Sequence, residues 1–206
     1  MKKIWDNLKI SKQMLYFLLI ITLIALISGS LFSIILDSSD KSLLKESLNT
    51  YILNIKQNNI DIFKSFFHLI LSETLSISLI WLLGISVIGL PIILFLYFSN
   101  TFILGFTIGG LVVNYKFKGL FFSILSTFPH QLINIGIYTI LVAYALNISL
   151  KILNSIVFKQ VLDFKKIINK YIVIGVFSIL AIIITATYET LILPNIIKML
   201  FSVFKI

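Results

Sequence analysis

Three ionisable residues stand inside long apolar stretches of the sequence: Glu73, His130 and Glu189. A charged side chain is costly within a bilayer, so residues of this kind usually face the interior of a helix bundle or a water-filled cavity. Pro129 precedes His130, and a proline leaves a carbonyl one turn earlier free to accept a hydrogen bond from a side chain or water. Three roles fit the group: a polar knot that holds helices together, a path for protons or ions, or a binding site for a partner.

Residue patterns typical of enzymes are absent from the sequence. There is no Cys, which excludes disulfides, thiolate zinc sites, iron–sulfur clusters and cysteine nucleophiles. The two His residues, His68 and His130, lie in different apolar blocks, and no H-E-x-x-H, G-x-S-x-G or Walker-type phosphate loop occurs. We therefore expect a protein that is not an enzyme and that holds no catalytic metal or cofactor.

The composition is typical of an integral membrane protein. Hydrophobic residues make up 59% of the 206 residues and the mean hydropathy is +1.07. Several apolar runs exceed the roughly 18 residues that mark a membrane-spanning helix. All 17 basic residues are Lys and flank apolar blocks, where orientation signals and contacts with anionic lipid headgroups are expected. The net charge of +9 therefore indicates membrane lipid, and no nucleic acid, as the partner.

Five apolar blocks predict an all-α, polytopic bundle that forms one integral membrane domain over residues 1–206. The expected spans are residues 14–36, 66–84, 89–113, 120–150 and 171–193. Lys residues before the first span, and five more between residues 151 and 170, predict that both segments are cytoplasmic. An odd number of spans then places the C-terminus outside the cell membrane.

The same orientation places all three intramembrane ionisable residues in the outer half of the bilayer. We predict that Glu73, His130 and Glu189 line an outward-opening polar pocket, where the carboxylates stay hydrated or pair with the imidazole. A pocket of this kind suits a polar segment of a partner better than it suits transport, because a transport path also needs ionisable groups in the inner half.

Two segments between or after the spans have amphipathic patterns. In residues 37–62, apolar side chains recur at steps of three, four and seven, which predicts an outward helix; they are Leu44, Leu48, Tyr51, Ile55 and Ile62. Its apolar stripe either rests on lipid headgroups or docks a partner. The tail, residues 194–206, has Ile197 on one side and Lys198 on the other, and is predicted to lie along the outer surface.

Glycine and proline mark a turn and a packing stripe. Gly84, Gly89 and Pro91 fall within a very short connection and predict an antiparallel hairpin between the second and third spans. Gly105 and Gly109 stand one turn apart and form a flat stripe that another helix can approach closely. This neighbour is a helix of the same chain, a second copy in an oligomer, or a partner protein.

Four short motifs follow one another in the chain, and Glu189 and Pro194 come after them. The motifs are Trp81-Leu-Leu-Gly84-Ile-Ser-Val-Ile-Gly89-Leu-Pro91, Gly105-Phe-Thr-Ile-Gly109, Lys118-Gly119-Leu120-Phe121-Phe122 and Phe128-Pro129-His130-Gln131. Together they resemble the stage II sporulation protein M family. The resemblance implies an engulfment membrane protein of endospore-forming bacteria that resides at the sporulation septum.

The resemblance also implies a non-catalytic scaffold with two enzymes as partners. These are a peptidoglycan amidase, sporulation protein P, and a lytic transglycosylase, sporulation protein D, which the scaffold recruits to the septal and engulfing membrane. The alternative is a secondary transporter or permease subunit that uses Glu73, His130 and Glu189 as a relay. No repeat of two halves, which many transporters have, is visible in the sequence.

The predicted orientation can be tested with single-Cys variants, because the chain has no native Cys. An impermeant thiol reagent added to intact cells should label Ser39→Cys and Ser202→Cys and leave Asn169→Cys unlabelled. Labelling of Asn169→Cys before the cells are opened would contradict the five-span arrangement.

Overall fold

The computed structural model describes residues 10–57, 61–159 and 164–204, and these ranges contain helices and no strand. The helices are α1 (Lys12–Ile35), α2 (Ser38–Lys56), α3 (Ile62–Leu83), α4 (Gly89–Phe122), α5 (Phe128–Phe158), α6 (Phe164–Thr187) and α7 (Leu193–Phe204), with π-helical segments at Ser123–Thr127 and Tyr188–Ile192. The all-helical prediction is confirmed. Lys2, Lys3, Lys9 and Lys205 lie outside the described residues, as do the side chains beyond Met199.

Five stretches of the described chain are long and apolar enough to cross a membrane, so the predicted number of spans is confirmed. They are Lys12–Ile35, Ile62–Leu83, Gly89–Leu125, His130–Phe158 and Ile167–Met199. Their bounds differ most from the prediction at the fourth span, because residues 120–150 do not form one helix. Residues 120–122 end α4, a π-helical segment follows, and α5 continues to Phe158.

The end of α4 folds back on itself at Lys116. This residue has φ 52° and ψ −131°, a backbone conformation that favours glycine. A Cβ built on Gly119 would collide with the carbonyl oxygen of Leu111. In a straight helix these two residues would be about 12 Å apart, at about 1.5 Å per residue. The membrane-spanning part of α4 therefore ends near Lys116, close to the predicted end at Val113.

The closest helix pair in the bundle is α1 with α4, and small residues make it possible. Gly29 of α1 faces α4, while Gly105 and Gly109 of α4 face α1. A Cβ on Gly105 would collide with the carbonyl oxygen of Leu26, and a Cβ on Gly109 would lie 2.8 Å from the Cα of Ser30. The hydroxyl of Ser30 also donates to the carbonyl of Gly105 at 3.0 Å. The neighbour of the glycine stripe is thus a helix of the same chain.

Side chains of α5 and α6 hold the turn between α3 and α4. The indole Nε1 of Trp81 donates to the carbonyl of Tyr171 at 3.1 Å, the hydroxyl of Tyr171 donates to the carbonyl of Trp81 at 2.8 Å, and the two rings stack. The hydroxyl of Ser149 lies 2.9 Å from the carbonyl of Gly84 and 3.0 Å from that of Ser86. Carbonyls at this helix end therefore find partners inside the protein.

Glycine and proline in the turn have distinct steric roles. A Cβ on Gly84 would collide with the hydroxyl of Tyr171, and a Cβ on Gly89 would collide with the carbonyl oxygen of Leu83. Pro91 lies in the first turn of α4, where a backbone N–H has no partner within the helix and its loss costs little. The short connection predicted between the second and third spans is present.

The amphipathic segment forms α2, and the protein itself covers much of its apolar stripe. Ile55 is fully buried in a cluster with Leu111, Phe122, Leu193 and Ile197, and Leu48 packs against the same cluster. Neither lipid headgroups nor a partner protein therefore covers this part of the stripe. The periodicity of the segment predicts the helix correctly but does not reveal which surface it packs against.

The α1–α4 interface predicts a sharp difference between two Gly→Ala substitutions. Gly105→Ala should destabilise the protein by about 1–3 kcal/mol, because a methyl group would overlap with the backbone of α1. Gly136→Ala is the matched control, since a Cβ there meets nothing within 4 Å, and it should be neutral or stabilise the helix by up to about 1 kcal/mol. The measurement is thermal unfolding in detergent. Equal tolerance of both changes would show that α1 and α4 are farther apart.

Candidate functional site

A cavity of about 560 Å³ lies between the helices, and Glu73, His130 and Glu189 all line it. Glu73 comes from α3, His130 from the start of α5, and Glu189 from the π-helical segment Tyr188–Ile192. The cavity extends from the middle of α3, at residues 72–76, toward the end of the bundle where α1 ends and α3 begins. The structure thus brings together the three residues that the sequence singles out.

His130 and Glu189 lie next to each other in the cavity wall. Each of them lies in or shortly after a π-helical segment and close to a proline in the sequence. Nε2 of His130 lies 3.6 Å from Oε2 of Glu189, and His130 is buried. His130 directly follows Pro129, which comes after the π-helical segment Ser123–Thr127; Glu189 belongs to the second such segment, which comes shortly before Pro194. A proline cannot donate to the carbonyl four residues earlier, and its ring clashes with that carbonyl, so the regular helix is interrupted there. The wider turn accommodates the interruption and turns polar side chains toward the cavity.

Glu73 has a partner of its own on the neighbouring helix. The hydroxyl of Tyr138 on α5 donates to Oε2 of Glu73 at 2.7 Å. This contact gives an acid within a membrane span a strong hydrogen bond to a neutral donor. A carboxylate has several acceptor sites, so Glu73 can accept further hydrogen bonds from a ligand in the cavity.

Asn134 adds a polar group that the sequence interpretation missed. It is 4% exposed and lines the cavity, and its Oδ1 has no hydrogen-bond partner among the described residues. Buried acceptors of this kind are usually satisfied by water or a ligand. The sequence spacing could have indicated this residue. Asn134 and Tyr138 follow His130 at steps of four residues, which places all three on one face of α5.

The remaining walls of the cavity combine apolar side chains with a few polar ones. Leu48 and Tyr51 of α2, and Leu193 and Ile197 of α7, close it on one side. Removal from water, followed by the nearby Glu189 carboxylate, raises the pKa of the Tyr51 phenol to about 12. The phenol is protonated at neutral pH, as it would be at its usual pKa of about 10, and remains a hydrogen-bond donor.

Acidic side chains outnumber lysines among the described residues that line the cavity. None of its described lining residues is Lys, whereas two of them are Glu. Within the described part of the chain, no group of three His, Asp or Glu side chains is arranged to hold a metal ion. A second cavity, of about 10 Å³, lies near Lys151 and Tyr171 and shares no lining residue with the first.

Comparison with known proteins gives one match. The model of a protein family described as stage II sporulation protein M matches residues 15–194. This range includes every described residue that lines the large cavity except Ile197. No curated protein and no solved structure matches the chain significantly.

The contact between Tyr138 and Glu73 predicts a measurable coupling. Tyr138→Phe should destabilise the protein by about 1–3 kcal/mol, because a part-buried carboxylate within a membrane span loses its donor. The same change in a Glu73→Gln background should cost less, and the difference measures the coupling between the two side chains. Tyr16→Phe is the control, since Tyr16 is 66% exposed on α1. Additive effects of the two changes on thermal unfolding in detergent would contradict the contact.

Proposed function

The chain belongs to the stage II sporulation protein M family, and we propose that it is a non-catalytic membrane scaffold that recruits peptidoglycan hydrolases during engulfment. Its partners are a peptidoglycan amidase and a lytic transglycosylase, sporulation proteins P and D. The observation that carries the proposal is the family match over residues 15–194, which covers three of the five apolar stretches in full and most of the first and the last. The family match and the five apolar helices support a multi-pass membrane protein of a sporulation family, and the scaffold role is proposed on that basis.

The proposed mechanism is tethering. A helix bundle in the septal membrane holds the two hydrolases near the cell wall and raises their local concentration, which for short flexible linkers is on the order of millimolar. Wall thinning then follows the position of the scaffold, and the engulfing membrane advances behind it. The bond cleavage itself is carried out by the partners.

In the proposed orientation, the N-terminus is cytoplasmic and the C-terminus lies outside. The helices α2 and α7 then lie on the wall side of the cell membrane, where they close the large cavity. This side also presents the polar face of α2, where Lys45 and Glu46 are exposed. These groups are available to a partner, because the apolar side of the same helix packs onto α4 and α7.

The alternative function, a secondary transporter or permease subunit, is supported by one observation: Glu73, His130 and Glu189 line the same cavity. Two features favour the scaffold over this alternative. His130 and Glu189 lie toward one end of the bundle and Glu73 lies about halfway along α3, and the small cavity at the other end shares no lining residue with theirs. A relay for protons or ions needs polar groups along the whole thickness of the membrane.

The scaffold proposal predicts that the two hydrolases copurify with the protein from detergent extracts of engulfing cells. Deletion of the gene should delocalise both enzymes and stall engulfment, while the purified protein alone should release nothing from peptidoglycan. A membrane protein of unrelated function, tagged in the same way, controls for nonspecific capture.

Two outcomes would overturn the proposal. Release of muropeptides by the purified protein, abolished by a point mutation, would make it an enzyme. Normal positions of both hydrolases in the deletion strain, together with loss of proton-driven uptake of a solute, would favour the transporter.

A further inference from the structure

The charge of the large cavity differs from that of the chain around it. The chain has 17 Lys against 8 acidic residues, yet two acids and no Lys are found among the described residues that line the cavity. His130 pairs with Glu189, whereas the hydrogen bond from Tyr138 to Glu73 brings no positive charge. The site thus has an acid with no cationic partner among its described lining residues, which complements a ligand with a positive charge.

Hydrogen-bond acceptors face the same space. The buried Oδ1 of Asn134 has no partner among the described residues, and Glu73 retains acceptor capacity beyond its bond with Tyr138. A primary ammonium group has three N–H donors, so it can satisfy both acceptors and the charge at once. A divalent metal is a poorer fit, since the described side chains include no cluster of three ligands.

The size and the remaining walls of the cavity define the rest of the ligand. A volume of about 560 Å³ falls within the roughly 300–1,000 Å³ typical of small-molecule sites, and is too small for a partner helix about 10–12 Å across. The aliphatic and aromatic side chains Leu111, Phe122, Leu193 and Ile197 line it together with the polar residues. An amphiphile therefore fits this cavity better than a fully polar ligand does.

The route of entry favours a lipid. Ser72 on α3 and Ile103 on α4 line the cavity and are both exposed, which places a mouth between these two membrane-spanning helices. A molecule that diffuses in the bilayer can reach this mouth sideways. Gln131 and Tyr51 also line the cavity and bring an amide and a hydroxyl donor to a headgroup phosphate.

We propose that the cavity binds a membrane lipid whose headgroup carries a primary ammonium, such as phosphatidylethanolamine. The ammonium lies between Glu73 and Asn134, and the acyl chains leave the cavity through the mouth between Ser72 and Ile103 into the bilayer. This proposal does not rest on the scaffold role, since it follows from the cavity alone, and the two can fail separately.

The experiment compares lipids on the purified full-length protein. The protein is reconstituted in bilayers that contain equal amounts of phosphatidylethanolamine and phosphatidylglycerol, extracted in mild detergent, and analysed by native mass spectrometry for retained lipid. We expect phosphatidylethanolamine to be enriched at least about tenfold, which corresponds to about 1.4 kcal/mol of preference. Equal retention of the two lipids would overturn the proposal, and this comparison uses only the native chain.

Two variants locate the site, and a third is the control. Glu73→Gln keeps an acceptor for Tyr138 but removes the charge, and Asn134→Leu removes the buried acceptor; each should abolish most of the enrichment. Glu46→Gln removes an acid on the exposed side of α2, outside the cavity, and should leave the enrichment unchanged. Enrichment that survives Glu73→Gln and Asn134→Leu, in protein with native thermal stability, would place the lipid elsewhere and overturn the proposal.

A further arm separates a lipid from a free amine. Ethanolamine or spermidine is added during extraction of the native protein. Phosphatidylethanolamine should remain bound at amine concentrations far above that of the protein, because the acyl chain contributes to its binding. Complete displacement by ethanolamine would support an ammonium site but would assign it to soluble amines, which overturns the lipid as the ligand.

Discussion

Proline has a large structural effect within a membrane span, because the bilayer offers no alternative partner for a backbone group that loses its hydrogen bond. In this protein, Pro129 and Pro194 each come shortly after a π-helical segment, and each therefore lies near the start of the following helix. The two interruptions bring His130 and Glu189 to within 3.6 Å of each other. A pair of continuous α-helices would lack both the wider turn from which Glu189 approaches the cavity and the wider turn that precedes His130. The polar site thus depends on where the regular hydrogen-bond pattern is interrupted.

The polar side chains within the bundle mostly satisfy one another across helix boundaries. Tyr97 illustrates this, because its hydroxyl lies 2.6 Å from that of Thr22 on α1 and 2.7 Å from that of Thr139 on α5. At the end of the bundle opposite the large cavity, the side chain of Trp81 donates to the backbone carbonyl of Tyr171, and the hydroxyl of Tyr171 donates to the carbonyl of Trp81. In such a setting, a buried acceptor without a protein partner stands out. Asn134 is one such acceptor in the cavity wall, and it therefore says more about a ligand than the satisfied polar groups do.

Sequence patterns predict the elements of this fold better than their contacts. Apolar run length reveals five spans, and the cost of charge in a bilayer singles out Glu73, His130 and Glu189. The fourth span is misplaced because hydropathy does not register the backbone conformation of Lys116 or the π-helical turn before Pro129. The periodicity of the sequence also cannot predict what covers α2, because the same apolar stripe can pack against lipid or against a side chain such as Leu193. The position of Asn134 in the site could have been predicted, since it follows His130 by four residues and so lies on the same helix face.

The helix α4 links the packing of the bundle to the cavity, because its two sides have different neighbours. On one side, Gly105 and Gly109 allow the backbone of α1 to approach within contact distance. On the other side, Asn100, Thr107 and Leu111 form part of the cavity wall. A side chain larger than hydrogen at Gly105 must move α4 away from α1, and movement in that direction narrows the space between α4 and α5. The small residues at the α1 interface therefore set the position of α4, and with it the width of the cavity, although neither Gly105 nor Gly109 lines the cavity.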